Sequence, residues 1–318
     1  MIEFFKTTKN ATHSISHPEP GCWINVVDPT DDERDWLIDE LGIVSEFVRS
    51  ALDDEERSHT DFDDDTDQTL VIIDCPFIES LDEAEDAGIT QYDTHPLSFL
   101  FLPRQDMLVT ISLIENETIE NFTAGRVRGI NTNQRTRLLL QILAHIALRY
   151  LSCLRNLERQ FVANEKRLRE SMNNTELVRM LGFEKSLIYF STSLKSIEAT
   201  LIKVSSGRVV RLYEDDRDLL DDVLIEIRQA IEMCTIERQI LSSSMDTFGS
   251  IISNGLNSTM RLLTIVTLIM AIPTIIFSFY GMNVAELPLP QTWLFPFFTS
   301  LVLCIIAAIV LLKGRWFR

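Results

Sequence analysis

Little in this sequence suits a disulfide framework, a zinc site or a catalytic constellation. Its five cysteines, Cys22, Cys75, Cys153, Cys234 and Cys304, lie far apart and form no CxxC pair. They read as small apolar residues in a reducing compartment. The five histidines, His13, His17, His59, His95 and His145, fall in no catalytic spacing, and no glycine-rich phosphate loop occurs, so no enzyme is expected. Basic residues are scarce: 29 Lys and Arg stand against 47 Asp and Glu, a net charge of −18. Such a body repels nucleic acid and anionic lipid and attracts cations, so no nucleic-acid partner is expected. The opening MIEFFKTTKN has no apolar run long enough for a signal peptide, which sets the expectation that the first 260 residues stay in the cytoplasm.

The end of the chain is the opposite in character. Leu262 to Val284 is 23 residues without a charge, and a helix rising about 1.5 Å per residue over that length crosses a hydrocarbon layer of about 30 Å. A second uncharged run covers Trp293 to Leu312. One acid, Glu286, and four bases, Arg261, Lys313, Arg315 and Arg318, lie beyond residue 260, which leaves residues 1–260 at −21. The connection 281–292 holds no Lys or Arg, whereas bases flank both runs on their other sides. The positive-inside rule therefore puts both termini in the cytoplasm and the short loop outside.

Residues 1 to about 130 read as an α/β domain. Short β-rich runs occur at Cys22–Val27, Leu70–Ile73, Leu97–Leu102 and Leu108–Leu113, the last two forming a hairpin about Pro103–Asp106. Thr30 followed by DDERDWLIDELG predicts a capped helix that Gly42 ends. The acids at 61, 63, 64, 65 and 67 suggest a calcium loop at first sight. The sixth position lacks glycine and Ile72 occupies the twelfth, so a solvated turn before the strand at Leu70 is expected instead. From about Asn133 the pattern is helical. Leu138, Leu139, Ile142, Ile146, Leu148, Leu151, Leu154, Leu157 and Phe161 predict one helix to about Met172, Thr175 caps a second to Ser205, and a third runs from near Arg211 through to Tyr280. A helix of that length implies bundling. Gly249 and Gly255 interrupt it weakly, as a bend or as a close packing point. The expected organisation is an α+β membrane protein: residues 1–130 a cytoplasmic α/β domain, 131–260 a helical stalk, and 261–318 two transmembrane helices with an outer loop at 284–292.

Along the first membrane run, Asn257, Met260, Thr264, Thr267, Ala271, Thr274 and Ser278 recur at steps of three and four. They share one stripe of the helix, every member small, hydroxylated or adaptable. Such a stripe either packs against other helices or lines water. Two spans cannot enclose a pore, so conduction requires several copies about an axis. A ladder of neutral oxygens without a carboxylate suits Mg²⁺, which dehydrates reluctantly; thiolate and imidazole, which zinc prefers, are missing from it.

Tyr280-Gly281-Met282-Asn283, at the outer end of the first of two C-terminal spans, resembles the YGMN signature of the CorA family of divalent-cation channels and transporters. The long preceding helix, the basic tail and the run WINVVDPTDDER, Trp23 to Arg34, resemble the family as well. The resemblance implies a funnel-shaped homopentamer in the bacterial inner membrane that contacts lipid and admits Mg²⁺, in some members Co²⁺ or Ni²⁺. It implies an outer selectivity filter at Gly281, Met282 and Asn283, a pore lined by Thr274 in the middle, and a constriction at Met260 and Leu263 beside Asn257. It also implies regulatory Mg²⁺ sites between subunits, near Asp218, Asp221 and Asp222 on the long helix and near Glu79 and Asp82 on the α/β domain. The outer loop departs from the family pattern: Ala285 takes a usual acid position, and Glu286 is its single acid. Two other readings stay open, a zinc or other transition-metal carrier of the same superfamily and a membrane-anchored coiled-coil receptor without flux. Met282 between Gly281 and Asn283 favours the Mg²⁺ branch of that resemblance.

Overall fold

A computed structural model describes residues 1–9, 11–79, 90–171, 174–207, 209–282 and 294–313. The chain divides into two compact units, Met1–Ser242 and Ser243–Arg318.

The first unit is built on a seven-stranded sheet in the order β2-β1-β3-β7-β6-β5-β4. Its strands are β1 (Ile2–Thr8), β2 (Ala11–Ile15), β3 (Trp23–Val27), β4 (His59–Asp63), β5 (Gln68–Glu79), β6 (Gln91–Leu102) and β7 (Met107–Ser112). Only β3 and β7 pair in parallel; the other neighbours are antiparallel. The predicted hairpin of β6 and β7 is present, with Leu102 opposite Met107. β5, β6 and β7 are buried almost throughout, because both faces of the sheet are covered and near-continuous apolar strands satisfy both. Leu70, Ile72, Leu100 and Val109 pack on one side against Leu37, Leu41, Phe47 and Val48. These come from the short helices α1 (Asp31–Asp35, continuing as a π turn Trp36–Glu40 that Leu41 caps) and α2 (Ser45–Ala51). Thr30 caps α1 as expected: its hydroxyl accepts from the Glu33 N–H while the Glu33 carboxylate accepts from the Thr30 N–H. Gly42, at φ +69°, turns the chain out of the helix.

Three long helices follow the short α3 (Glu117–Thr123): α4 (Arg135–Ser171), α5 (Asn174–Ser205) and α6 (Glu214–Tyr280). α4 is apolar enough by length and composition to cross a membrane, yet 61% of its apolar window is buried inside the protein, against 6% for α6 and 11% for the last helix. Leu138, Leu139, Ile142, Ile146, Tyr150 and Leu154 form its buried stripe. Polar bonds fix α4 and α5 to the sheet: the Tyr150 hydroxyl donates to the Asp74 carbonyl at 3.0 Å, and Ser58 and Ser196 hydroxyls donate to the Asp74 carboxylate. Burial pushes that carboxyl above its ordinary range. All five cysteines are free, four of them buried.

Three strands, like the short helices α2 and α3, have no counterpart in the sequence reading. The hairpin β1–β2 occupies one sheet edge, and β4 occupies the other, carrying Asp61 and Asp63 opposite Leu70 and Gln68. The turn after β4 is closed by the Asp63 carboxylate, which accepts from the Thr66 hydroxyl and N–H and is held below its usual range by those bonds.

The second unit contains the remainder of α6 and the helix α7 (Leu294–Lys313). Pro273 lies within α6.

Candidate pore helix and filter

Between Ile265 and Tyr280 α6 has one face turned to α7. Ile265 is 5% exposed and Ile269, Ile272 and Ile276 are half-buried; steps of four, three and four put all of them on one stripe. α7 meets them with small groups. Ser300 is buried and Cys304, Ala307 and Ala308 are half-buried. The Cys304 thiol lies 3.6 Å from the Ile269 carbonyl, and the Tyr280 and Phe295 rings are 6.3 Å apart.

The polar stripe falls elsewhere. At about 100° per residue its mean direction is roughly 145° around the helix from the isoleucine face. Asn257, Met260, Thr264, Thr267, Thr274 and Ser278 are exposed and Ala271 is half-buried; Leu263, at 60%, is also exposed. The second span of the same chain therefore leaves the stripe open. The threonine hydroxyls are not idle there: Thr264 donates to the Met260 carbonyl at 2.8 Å, Thr267 to Leu263 at 2.8 Å and Thr274 to Met270 at 3.2 Å. Each has committed its proton to its own helix, so what it presents outward is an oxygen lone pair, an acceptor without charge.

α6 closes at the motif. The Gly281 N–H donates to the Phe277 and Ser278 carbonyls and the Met282 N–H to Phe279, tightening the last turn. A Cβ at Gly281 would lie 3.2 Å from the Phe277 carbonyl oxygen, so glycine is explained here by close approach of backbone. Met282 is 56% exposed. Asn283, Glu286 and Asp82 lie outside the described residues.

Asp218, Asp221 and Asp222 are exposed on α6, at spacings that place them on one face. Glu79 is differently placed: both its oxygens accept from Lys185 Nζ at 3.0 Å, and its side chain is 18% exposed. Burial opposes the Lys185 charge, but the Glu79 carboxylate outweighs it and holds the amine above its usual range. Among the described residues no three His, Cys, Asp or Glu side chains gather where they could hold a metal ion.

Sequence reasoning passed over a groove between α4, α5 and α6, lined by Leu157, Phe161, Phe183, Leu187, Ile236 and Ile240 together with Glu158 and Glu237. Burial, then the charge of Glu158, pushes the Glu237 carboxyl up to about 8. The signal was present in Met233, Ile236, Glu237, Ile240 and Leu241, an apolar helical stripe with one acid inside it.

An α/β unit and a long helix whose far end lies against a second apolar helix, both helices long and apolar enough to cross a membrane, give the make-up of a membrane protein. A family model described as CorA-like Mg2+ transporter protein matches residues 19–318, and the chain belongs to that family. It is 27% identical over 306 residues to the cobalt/magnesium transport protein CorA of Methanocaldococcus jannaschii, covering 92% of this chain and 90% of the relative. The complete structure of the CorA magnesium transporter from that organism superposes with a TM-score of 0.79 at 24% identity, over 98% of this chain and 96% of the other. The full-length CmaX structure gives 0.73 at 15% identity, over 99% and 98%. The cytoplasmic domain of ZntB from Vibrio parahaemolyticus gives 0.62 at 14%, over 79% of this chain and 98% of that domain. At such identities these structural likenesses establish the fold.

Proposed function

We propose that the protein transports divalent cations across a membrane, and that Mg²⁺ moving inward across the bacterial inner membrane is its principal cargo. Family membership and the CorA relative support the transport of divalent cations. The observation that carries the choice of a hydrated ion is the threonine ladder. Water bound to Mg²⁺ points its hydrogens outward, and a hydroxyl that has already donated to its helix can only accept from them. The uncharged stripe holds such an ion weakly enough to release it to the next position.

In this reading several copies, five by resemblance to the family, surround the stripe in a lipid bilayer, with both termini in the cytoplasm. Gly281, Met282 and Asn283 form the outer filter, and Met260 and Leu263 close the inner end by excluding water. The acidic residues Asp218, Asp221 and Asp222 sense internal Mg²⁺ between copies, where the ion screens their mutual repulsion and favours a closed state. Glu79 takes part only if Lys185 gives it up. The cargo crosses without a covalent step, so the reading calls for no catalytic group.

Influx into liposomes loaded with a Mg²⁺-sensitive dye tests this reading. The wild-type protein is expected to admit Mg²⁺, with Co²⁺ and Ni²⁺ competing, and Asn283→Ala to lose most of that influx. Equal influx in both would end the filter assignment. Zn²⁺ flux without Mg²⁺ flux would move the protein to the transition-metal carriers, and no flux under an inward gradient at low internal Mg²⁺ would favour the receptor.

A further inference from the structure

A cleft in the first unit gathers three arginines, with Asp215 and Asp216, in a chain that is strongly acidic. It has a volume of about 540 Å³ and is lined by Arg135 and Arg137 from the first turn of α4, by Arg211 and Tyr213 from the segment before α6, and by Phe101 at the end of β6. The first turn of α4 contains no acid, although the positive end of a 37-residue helix favours one and repels arginine. α6, by contrast, carries Glu214, Asp215 and Asp216 in its first turn.

Internal ion pairs engage two of the three arginines, one of them loosely. Arg135 is paired with Asp106 at 2.9 Å, but Arg137 reaches Asp216 only at 3.7 Å. Among the described residues Arg211 has no carboxylate within ion-pair distance; its guanidinium lies 5.4 Å from the Tyr213 ring centre. Asp216 is itself engaged, accepting from the Tyr213 N–H as well. The walls are fixed by bonds that do not involve the guanidinium groups: the Thr136 hydroxyl donates to the Arg211 carbonyl at 2.9 Å and the Thr69 hydroxyl to the Val209 carbonyl at 3.0 Å. One guanidinium without an ion pair among the described residues and one that is loosely paired are thus held over a pre-formed cleft together with a helix N-terminus. The exposed Asp215 carboxylate on the same lining opposes a bare anion and suits one that arrives with a divalent cation.

We propose that this cleft binds a phosphate-bearing anion of up to nucleotide size, held by Arg137 and Arg211 against the first turn of α4, with the exposed Tyr213 ring beside it. Guanidinium groups match phosphate oxygens in a two-point geometry, and a volume of this order is that of small-ligand pockets. The site goes beyond the transport reading and does not depend on it. It would give the protein a response to the phosphate compounds that carry most chelated divalent cation in solution.

The test is calorimetric titration of the full-length, detergent-solubilised protein with inorganic pyrophosphate and with ATP, each in metal-free buffer and with Mg²⁺. Saturable binding is expected, weakened roughly tenfold or more in Arg211→Gln and in Arg137→Gln, the scale of losing one charge-assisted contact. Arg211→Lys should retain more affinity than Arg211→Gln, and Arg228→Gln, whose guanidinium pairs with Glu198, should leave binding unchanged. Equal affinity for the two probes supports recognition of phosphate alone. Tighter ATP binding that Tyr213→Ala abolishes, with pyrophosphate unaffected, supports recognition of a nucleotide. No saturable binding of either probe, or affinity unchanged in both Arg→Gln variants, overturns the proposal. So does equal loss in Arg211→Lys and Arg211→Gln accompanied by a lowered Tm, which would mean that the cleft had collapsed.

Discussion

Replacing Glu237 by Gln should stabilise the protein in a pH-dependent way. The carboxyl sits among Leu187, Met233, Ile236, Ile240 and Leu241 with Glu158 on the same groove, and its folded value is about 8 against an ordinary 4.5. The folded state therefore binds the proton more tightly than the unfolded state. Stability is highest below about pH 4.5, falls as pH rises from 4.5 to about 8, and is flat above. At about 1.4 kcal/mol per pH unit the interval sets an upper limit of about 5 kcal/mol. Glu237 is only part-buried, and solvent screening leaves an expected penalty of about 2 kcal/mol. Glutamine keeps the shape and carries no charge, so Glu237→Gln should match the wild type at pH 4 and exceed it at pH 9. For a unit of this size about 2 kcal/mol is a Tm difference of roughly 4–8 °C. Thermal melts of the full-length protein in detergent across that range measure it. A difference between variant and wild type that is the same at every pH would refute the reasoning, because it would mean that the carboxyl never carries its charge at a loss.

Two other substitutions probe local structure. At Gly249 and Gly255 an added Cβ meets nothing within 4 Å, so Gly249→Ala with Gly255→Ala should raise Tm, at about 1 kcal/mol for each site. A lowered Tm or a smaller oligomer on size-exclusion chromatography would place another copy against these positions. Thr30→Ala removes the reciprocal cap of α1 and should lower unfolding stability by about 1 kcal/mol, read by denaturant titration, with Thr30→Ser retaining most of it.

The long helices were legible because burial of one stripe imposes a period that nothing else produces, and Leu138, Ile142 and Ile146 repeat it cleanly. The hairpin of β6 and β7 was legible from Pro103 and Asp106 between two apolar runs. The far halves of β5 and β6 were hidden by Pro76 and Pro96, which sit opposite Thr94 and Asp74. Both prolines fall beyond the last residues paired to β4 and β7, where a missing N–H breaks no ladder on that side. β4 was hidden because an edge strand can carry acids, and Asp61 and Asp63 look like a loop until Leu70 and Gln68 are placed opposite them. The stripe on α6 could be read from spacing alone. That its threonines turn their protons inward could not, since it depends on side-chain rotamers, nor could the meeting of Arg137 with Arg211, which are distant in sequence.

The most direct test of the central claim is thiol accessibility along α6 in a Cys304→Ser background. Thr264→Cys, Thr267→Cys, Thr274→Cys and Ser278→Cys lie on the stripe; Leu262→Cys and Val266→Cys are exposed in one chain as well but lie more than about 120° around the helix from its mean direction. In proteoliposomes, a charged membrane-impermeant thiol reagent should block Mg²⁺ influx through the first group and leave the second conducting. Block that is absent from the stripe, or that falls equally on both groups, would contradict the account.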